Sequence, residues 1–362
     1  MSAAPYDLTR AELAALLADQ PEYRVRQVWD SLHVRVQRPE EMTELPVALR
    51  DRLALSLPRA LTEVSRQSAD DGQTTKWLWA LQDGAQVEAV LMYYPDRVTV
   101  CVSTQAGCAM ACSFCATGQA GFSRQLSEGE IVEQVAEAMR EARPRRLSNV
   151  VFMGMGEPLA NYDRVWAAVT RLHGEMGMSA RHLTLSTVGV VPGIRRLAKE
   201  SLPVNLAVSL HAANDAKRDG LVPINKRYPL DVLSAACAEY VQATGRRLSI
   251  EWAMIHEVND TEVDALELSQ FARPLAAHVN LIPLNPTPGY GVQGTSSGGV
   301  RRFRDQLENL GVNATIRMTR GAEIDAACGQ LAASVTGRSR SGSGSESEDE
   351  VPMPVHLGRQ SP

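Results

Sequence analysis

The chain has 362 residues with 44% hydrophobic and 22% charged content, a soluble globular composition that excludes collagen, coiled coil and wholesale disorder. Thirty-seven Lys and Arg against 42 Asp and Glu give a net charge of −5, so the chain is no polycation, although a local basic surface would still suit RNA. No apolar run approaches a bilayer span, and the acid-flanked N-terminus does not read as a secretory signal, so a cytoplasmic protein without membrane association is expected.

In chain order, residues 8 to about 66 read as helical. Thr9 is placed as an N-cap with Glu12 at the capping-box position, and Tyr23, Val28, Trp29 and Leu32 recur at helical spacing. Apolar runs at Lys76–Leu81 and Gln86–Tyr93 flank Asp83-Gly84, a hairpin signal. From Arg97 onward short apolar runs alternate with amphipathic helices. Strands are expected at Val98–Ser103, Asn149–Met153, His182–Thr187, Val204–Leu210, Leu248–Met254, His278–Pro283 and Ala314–Met318. Helices are expected at Glu128–Glu141 (capped by Ser127 with Glu130), Arg164–Met176, Leu230–Thr244, Glu262–Ala272 and Arg301–Asn309. Repeated βα units argue for a parallel sheet with right-handed crossovers, and six units are too few for a full barrel. The expected fold is therefore α/β, a partial (βα)6 TIM-like barrel over 97–337, preceded by a helical accessory domain at 1–66 and a β-hairpin linker at 67–96. Residues 338–362, rich in Ser, Gly and acid, read as a disordered tail.

Six cysteines in such a chain are not a disulfide framework, and four of them lie between Cys101 and Cys115. Cys108, Cys112 and Cys115 form a C-x3-C-x2-C run just after the first strand of the βα region. Three thiolates on a loop would supply three irons of a cubane and leave the fourth open. The same spacing would also put three thiols on one helix face, and a zinc site would want a fourth ligand nearby. The loops at the carboxyl ends of later strands carry Gly154-Met-Gly156-Glu157-Pro158, Ser186-Thr187, Ser209-Leu210-His211 and Pro283-Leu-Asn285. Each is ordinary turn and cap chemistry alone; together they mark the rim where parallel sheets bind ligands. Cys237, on the apolar face of Leu230–Thr244, reads as core. Cys101, Cys328 and Glu88 each also fit a plain structural place, and Arg143, Arg145 and Arg146 read first as solvated helix ends.

These motifs resemble a radical S-adenosylmethionine (SAM) enzyme, and more closely the bacterial RNA adenine-C2 methyltransferases of the RlmN family. The similarity covers nearly the whole chain, from the Tyr23–Leu32 helix to Thr319, missing only the tail. It rests on Val98-Thr-Val-Cys101 through Cys108, Met153-Gly-Met-Gly-Glu-Pro-Leu, Leu185-Ser-Thr-Val-Gly-Val-Val-Pro, Ser209-Leu-His211 and Gly321-Ala-Glu-Ile-Asp-Ala-Ala-Cys328-Gly. The resemblance implies a [4Fe–4S] cluster on Cys108, Cys112 and Cys115. It implies SAM held by Gly156, Glu157, Ser186, Ser209, Leu210, His211 and Asn285. Cys328 would carry a methyl group, Cys101 would resolve it with formation of a disulfide, and Glu88 would act as general base. The implied substrates are 23S rRNA in the peptidyl-transferase region and tRNA at the adenine beside the anticodon. A low-potential electron donor of flavodoxin or ferredoxin type and a monomeric state are also implied. Two other readings carry similar signals: a sibling enzyme methylating adenine C8 of the same rRNA, and a non-catalytic iron–sulfur or zinc protein that binds RNA.

Overall fold

A computed structural model describes residues 4–285, 291–317, 320–326 and 329–331. The chain opens with three helices, α1 (Arg10–Leu16), α2 (Glu22–His33) and α3 (Val47–Ser56). The expected capping box is in place: the Thr9 N–H donates to Glu12 Oε2 at 2.8 Å and the Glu12 N–H to Thr9 Oγ1 at 3.2 Å. Leu13, Val28, Trp29, Leu32, Met42 and Leu53 pack into a small core of their own, separate from the main one.

The helical reading to about residue 66 overshoots. The helices end at Ser56, and Leu61–Ala69 is a strand, β1. Its residues between the two ends are exposed, because it is the sheet's edge and no apolar alternation marks it. β2 (Thr74–Leu81) and β3 (Gln86–Tyr93) form the expected hairpin, with the Ala85 N–H donating to Asp83 Oδ1 at 3.1 Å. This hairpin is no separate linker: β3 pairs antiparallel with β4 (Val98–Cys101), so β1–β3 extend the main sheet.

After β4 come β5 (Gln105–Gly107), α4 (Ala116–Ala120), β6 (Phe122–Gln125), α5 (Glu128–Glu141), β7 (Asn149–Phe152), α6 (Tyr162–Gly174), β8 (Leu183–Thr187) and α7 (Val191–Leu197). Then follow β9 (Asn205–Ser209), α8 (Asp215–Leu221), α9 (Leu230–Thr244), β10 (Ser249–Met254), α10 (Glu262–Ala272), β11 (His278–Pro283), α11 (Ser297–Asn309) and β12 (Asn313–Ile316). The ten-stranded sheet runs β1-β2-β3-β4-β7-β8-β9-β10-β11-β12, and every pair from β4 to β12 is parallel. All seven expected strands of the βα region are present within a few residues, with helices between them, as a partial barrel requires. Among the described residues the barrel is not closed by strand pairing; after β12 the chain returns to the opposite edge, where the Gly321 N–H donates to Asp70 Oδ2 at 3.0 Å.

Register decides which side chains share a face. Residues directly opposite one another on paired strands project to the same side. Lys76 lies opposite Val90, Val90 opposite Cys101, Cys101 opposite Val151 and Val151 opposite Thr184. Stepping by two along β3 and β8 adds Glu88 and Ser186 to that face. By the same rule Ser209, Glu251 and Asn280 form one row across β9, β10 and β11.

The N-terminal helices dock onto α6 through Arg171. Its Nη1 donates to Leu8 O at 2.8 Å and lies 3.3 Å from His33 Nε2, and its Nε pairs with Glu128. His33 stacks on Trp29 at 4.1 Å, and its Nδ1 lies 3.1 Å from Trp29 O. With Arg171 donating to Nε2, the ring is the Nδ1–H tautomer. Burial, chiefly, holds its pKa down at about 4, while the hydrogen bond to Trp29 O works against that. His33 is thus neutral in the fold and ionises more readily when unfolded. Between the ordinary value of 6.5 and about 4 the unfolded chain binds more protons, so this group makes stability rise with pH across that window. Glu133, buried and raised to about 7 chiefly by desolvation, acts in the opposite sense, so only a difference isolates His33. His33→Gln is therefore expected to lose on the order of 2 kcal/mol less than the wild type on going from pH 7 to 4. Paired thermal melts across that range check this; parallel pH profiles would contradict it.

Candidate active site

The three-cysteine loop is not helical. Residues 108–115 form two consecutive turns between β5 and α4, so the reading of three thiols on one helix face does not hold. Gly107 starts the loop with a φ of 77°, and a Cβ there would fall 2.0 Å from Gly121 O. The Cys108 N–H donates to that same carbonyl at 2.7 Å, and the Cys115 N–H donates to Cys112 O at 3.2 Å. All three cysteines line one open cavity. Burial pushes the Cys108 thiol up to about 12 and raises Cys112 further, so neither ionises without a nearby positive charge.

The opposite wall of this cavity is the rim of strand ends. Gly156, Glu157, Ser186, Ser209 and His211 line it, together with Glu251, Ala253, Ile282 and Arg317 from the same sheet face. A sheet whose β7 to β12 ends surround one space is curved, as a partial barrel is. Gly156 has a φ of 103°, and a Cβ would meet the Gln105 side chain at 2.6 Å. That close approach lets Gln105 Oε1 accept the Glu157 N–H at 2.8 Å. The Glu157 carboxylate is spent on backbone: Oε2 accepts from Val188 N–H at 2.9 Å and Oε1 from Leu159 N–H at 3.0 Å. It is fully buried, and desolvation holds it up at about 7 despite those bonds. Glu157 thus staples the β7 loop to the β8 loop and offers the cavity mainly its main chain.

Ser186 and Ser209 place their hydroxyls 3.3 Å apart. His211 adopts a left-handed backbone, φ 58°, and accepts the Ala253 N–H at Nδ1, 3.0 Å, leaving the proton on Nε2. Its ring meets Phe114 of the cysteine loop edge-on at 4.6 Å, joining the two walls. Burial, with Arg218 second, drives its pKa down to about 3, so it stays neutral. Leu210 is different: its side chain is in the core, and it does not line the cavity. Asn285 is buried just beyond β11, next to Leu284, which does.

Glu88 and Cys101 are buried on the cavity's face of the sheet but outside its lining, and Glu88 Oε1 lies 3.2 Å from Lys76 Nζ. Cys328 lies outside the described residues. Its neighbours in sequence, Gly329 and Leu331, line the cavity; Gly329 O accepts the Ala116 N–H at 2.8 Å and Leu331 O accepts the Thr117 hydroxyl.

Sequence reasoning missed Arg218. Fully buried on α8, its guanidinium donates to Leu210 O at 3.0 Å, Val188 O at 2.7 Å and Asn225 Oδ1 at 2.9 Å, with Ser209 O at 3.4 Å. One side chain therefore fixes two strand-end loops, and nothing in the local pattern Asp215–Leu221 distinguishes it from a solvated helix arginine. Asn259, also buried, donates to His211 O and Ala253 O, both at 2.7 Å, and was equally unmarked.

Two substitutions should separate loop geometry from thiol count. Cys237 is fully buried beside Leu233, Ala236 and Tyr240 on α9, away from the cavity. Cys237→Ala should cost about 1 kcal/mol of stability and leave iron content unchanged. Gly107→Ala should lower iron content severely although every cysteine remains. Iron assays on anaerobically prepared variants read both; an iron-loaded Gly107→Ala or an iron-free Cys237→Ala would contradict the assignment.

Residues 102–268 match the Radical SAM superfamily. Relatives named probable dual-specificity RNA methyltransferase RlmN from Salinispora tropica and Frankia casuarinae are each 52% identical, over 91% and 92% of this chain and 92% and 83% of their own lengths. The corresponding protein from Chloroflexus aurantiacus is 49% identical over 90% of this chain and 92% of its own. A solved radical SAM methyltransferase from Sphaerobacter thermophilus superposes with a TM-score of 0.88 at 50% identity, covering 92% of this chain and 100% of that one. With half its residues shared along nearly its whole length, the chain belongs to the RlmN family of radical SAM RNA methyltransferases.

Proposed function

We propose that this protein methylates C2 of adenine in 23S rRNA, in the peptidyl-transferase region, and in tRNA beside the anticodon, using a [4Fe–4S] cluster and SAM. The observation that carries the reading is the convergence of Cys108, Cys112 and Cys115 with five strand-end rim residues on one cavity. The residues fit the groups. Buried thiols that stay protonated on their own become thiolates when a cation sits among them. Among the described residues no three of His, Cys, Asp or Glu are gathered as a single-ion site; a cubane, taking one thiolate per iron, does not need them to be. Gly156 and the main chain of Glu157, the Ser186 and Ser209 hydroxyls, His211 and Asn285 would hold SAM, and Leu210 would set the course of the chain between Ser209 and His211.

When bound, these groups supply a transferable methyl and one-electron chemistry able to break a C–H bond. That chemistry suits adenine C2, which lies between two ring nitrogens and is a poor nucleophile. The chain's part is to carry and release the methyl carbon. Cys328 would take it on sulfur and hold it against the base, forming a transient protein–RNA link. Glu88 would accept the C2 proton. Cys101 thiolate would attack Cys328 sulfur: an S–S bond forms, the S–C bond breaks, and its electron pair stays on carbon, which takes a proton. The accessory helices α1 to α3 would help to hold RNA. An electron donor of flavodoxin or ferredoxin type, a monomeric state and a cytoplasmic location complete the proposal. Among the described residues no helix is long and apolar enough to cross a membrane.

The mechanism is tested by the two thiols. Cys101→Ala should still bind iron and SAM but accumulate a covalent protein–RNA adduct on a denaturing gel, whereas Cys328→Ala should give neither adduct nor methylated RNA. Mass-spectrometric mapping of the wild-type product should place the methyl on C2. Normal turnover by Cys101→Ala would overturn the resolving role; a C8 methyl would select the sibling activity.

A further inference from the structure

A lysine buried in a sheet needs a partner for its charge, because desolvating an ammonium alone costs far more than its packing returns. Lys76 on β2 is such a residue: its side chain is 10% exposed, and Glu88 beside it only 6%. Its Nζ lies 3.2 Å from Glu88 Oε1 and 3.4 Å from the Asp325 carbonyl oxygen. The first is on β3 and the second on the segment after β12, three residues before Cys328. Lys76 also belongs to the cross-strand row that runs through Val90 to Cys101. It therefore touches the proposed proton acceptor and the approach to the proposed methyl carrier, and shares a sheet face with the proposed resolving thiol.

The Asp325 end is held from the same hairpin. Gly321 N–H and the Thr74 hydroxyl both donate to Asp70 Oδ2, at 3.0 and 2.5 Å, and Gly321 O accepts the Ala326 N–H at 2.9 Å. That turn would hold its place without Lys76. Lys76 adds a tie from the turn to the Glu88 carboxylate.

We propose that Lys76 is a positioning residue: it keeps Glu88 as an oriented carboxylate and fixes it relative to the chain entering Cys328. This rests on the general-base role proposed for Glu88. In that step the adenine C2–H bond breaks, its electron pair stays on the ring, and the proton passes to a Glu88 oxygen, with no net change in electrons. An ammonium at hydrogen-bond distance pins one carboxylate oxygen and so orients the other. A methionine of similar length keeps the packing but removes charge and donor.

The full-length enzyme with both thiols intact carries the test. Lys76→Met should load iron and methylate Cys328, read by intact mass, like the wild type. Its protein–RNA adduct should clear roughly tenfold more slowly or worse. RNA deuterated at the adenine C2 should lengthen the adduct lifetime more in Lys76→Met than in the wild type, and Lys76→Arg should restore fast clearance. If Lys76→Met does not fold, Lys76→Gln is read by the same criteria. Glu88→Gln separates the two ideas. Wild-type clearance in Glu88→Gln would remove the base reading, and this proposal with it. A stalled Glu88→Gln beside a Lys76→Met that clears its adduct at the wild-type rate would overturn Lys76 alone.

Discussion

Side-chain alternation in an in-register parallel sheet is the constraint on which the rest of this molecule depends. Once β4 to β12 pair in parallel, the residues at their carboxyl ends must emerge on one rim. The alternation then sends Ser186, Ser209, Glu251 and Ile282 to one face without further instruction. The cysteine loop needs only to fold over that rim. It does so through Gly107, the Cys108–Gly121 bond and the Phe114–His211 contact. A one-residue slip in any strand would turn its contribution outward.

Buried polar groups then lock the rim. Glu157 joins the β7 and β8 loops, Arg218 the β8 and β9 loops, and Asn259 ties the β10 end to His211. Each spends its hydrogen bonds mainly on backbone, so these residues hold shape and leave the hydroxyls and thiols facing the cavity. That division explains how a cavity can be both rigid and chemically open. The return of the chain from β12 to the β1–β2 hairpin adds the last wall, bringing Gly329 and Leu331 to the same space.

Much of this was legible in the amino-acid sequence because it is periodic or local. Strands such as His278–Pro283 and helices such as Glu128–Glu141 carry their own apolar pattern and caps, and the C-x3-C-x2-C spacing needs no tertiary information. What escaped was long-range or unpatterned. β1 is an exposed edge strand of mixed polar residues and looked like a continuation of the helices. The hairpin looked like a linker because strand pairing between β3 and β4 cannot be read from either alone. Arg218 and Lys76 look like surface cations until the fold buries them, and Leu210 took a role from its motif that its buried side chain leaves to the main chain.

The thiols of Cys108, Cys112 and Cys115 and the strand-end rim line one space, which we propose is a single cofactor site. Anaerobic reconstitution with iron and sulfide, followed by SAM and a strong reductant, tests it most directly. The expected result is a brown protein with one cubane that forms 5′-deoxyadenosine, and loss of both colour and product when any one of Cys108, Cys112 or Cys115 becomes Ala. A colourless wild type holding stoichiometric zinc and forming no 5′-deoxyadenosine would contradict it.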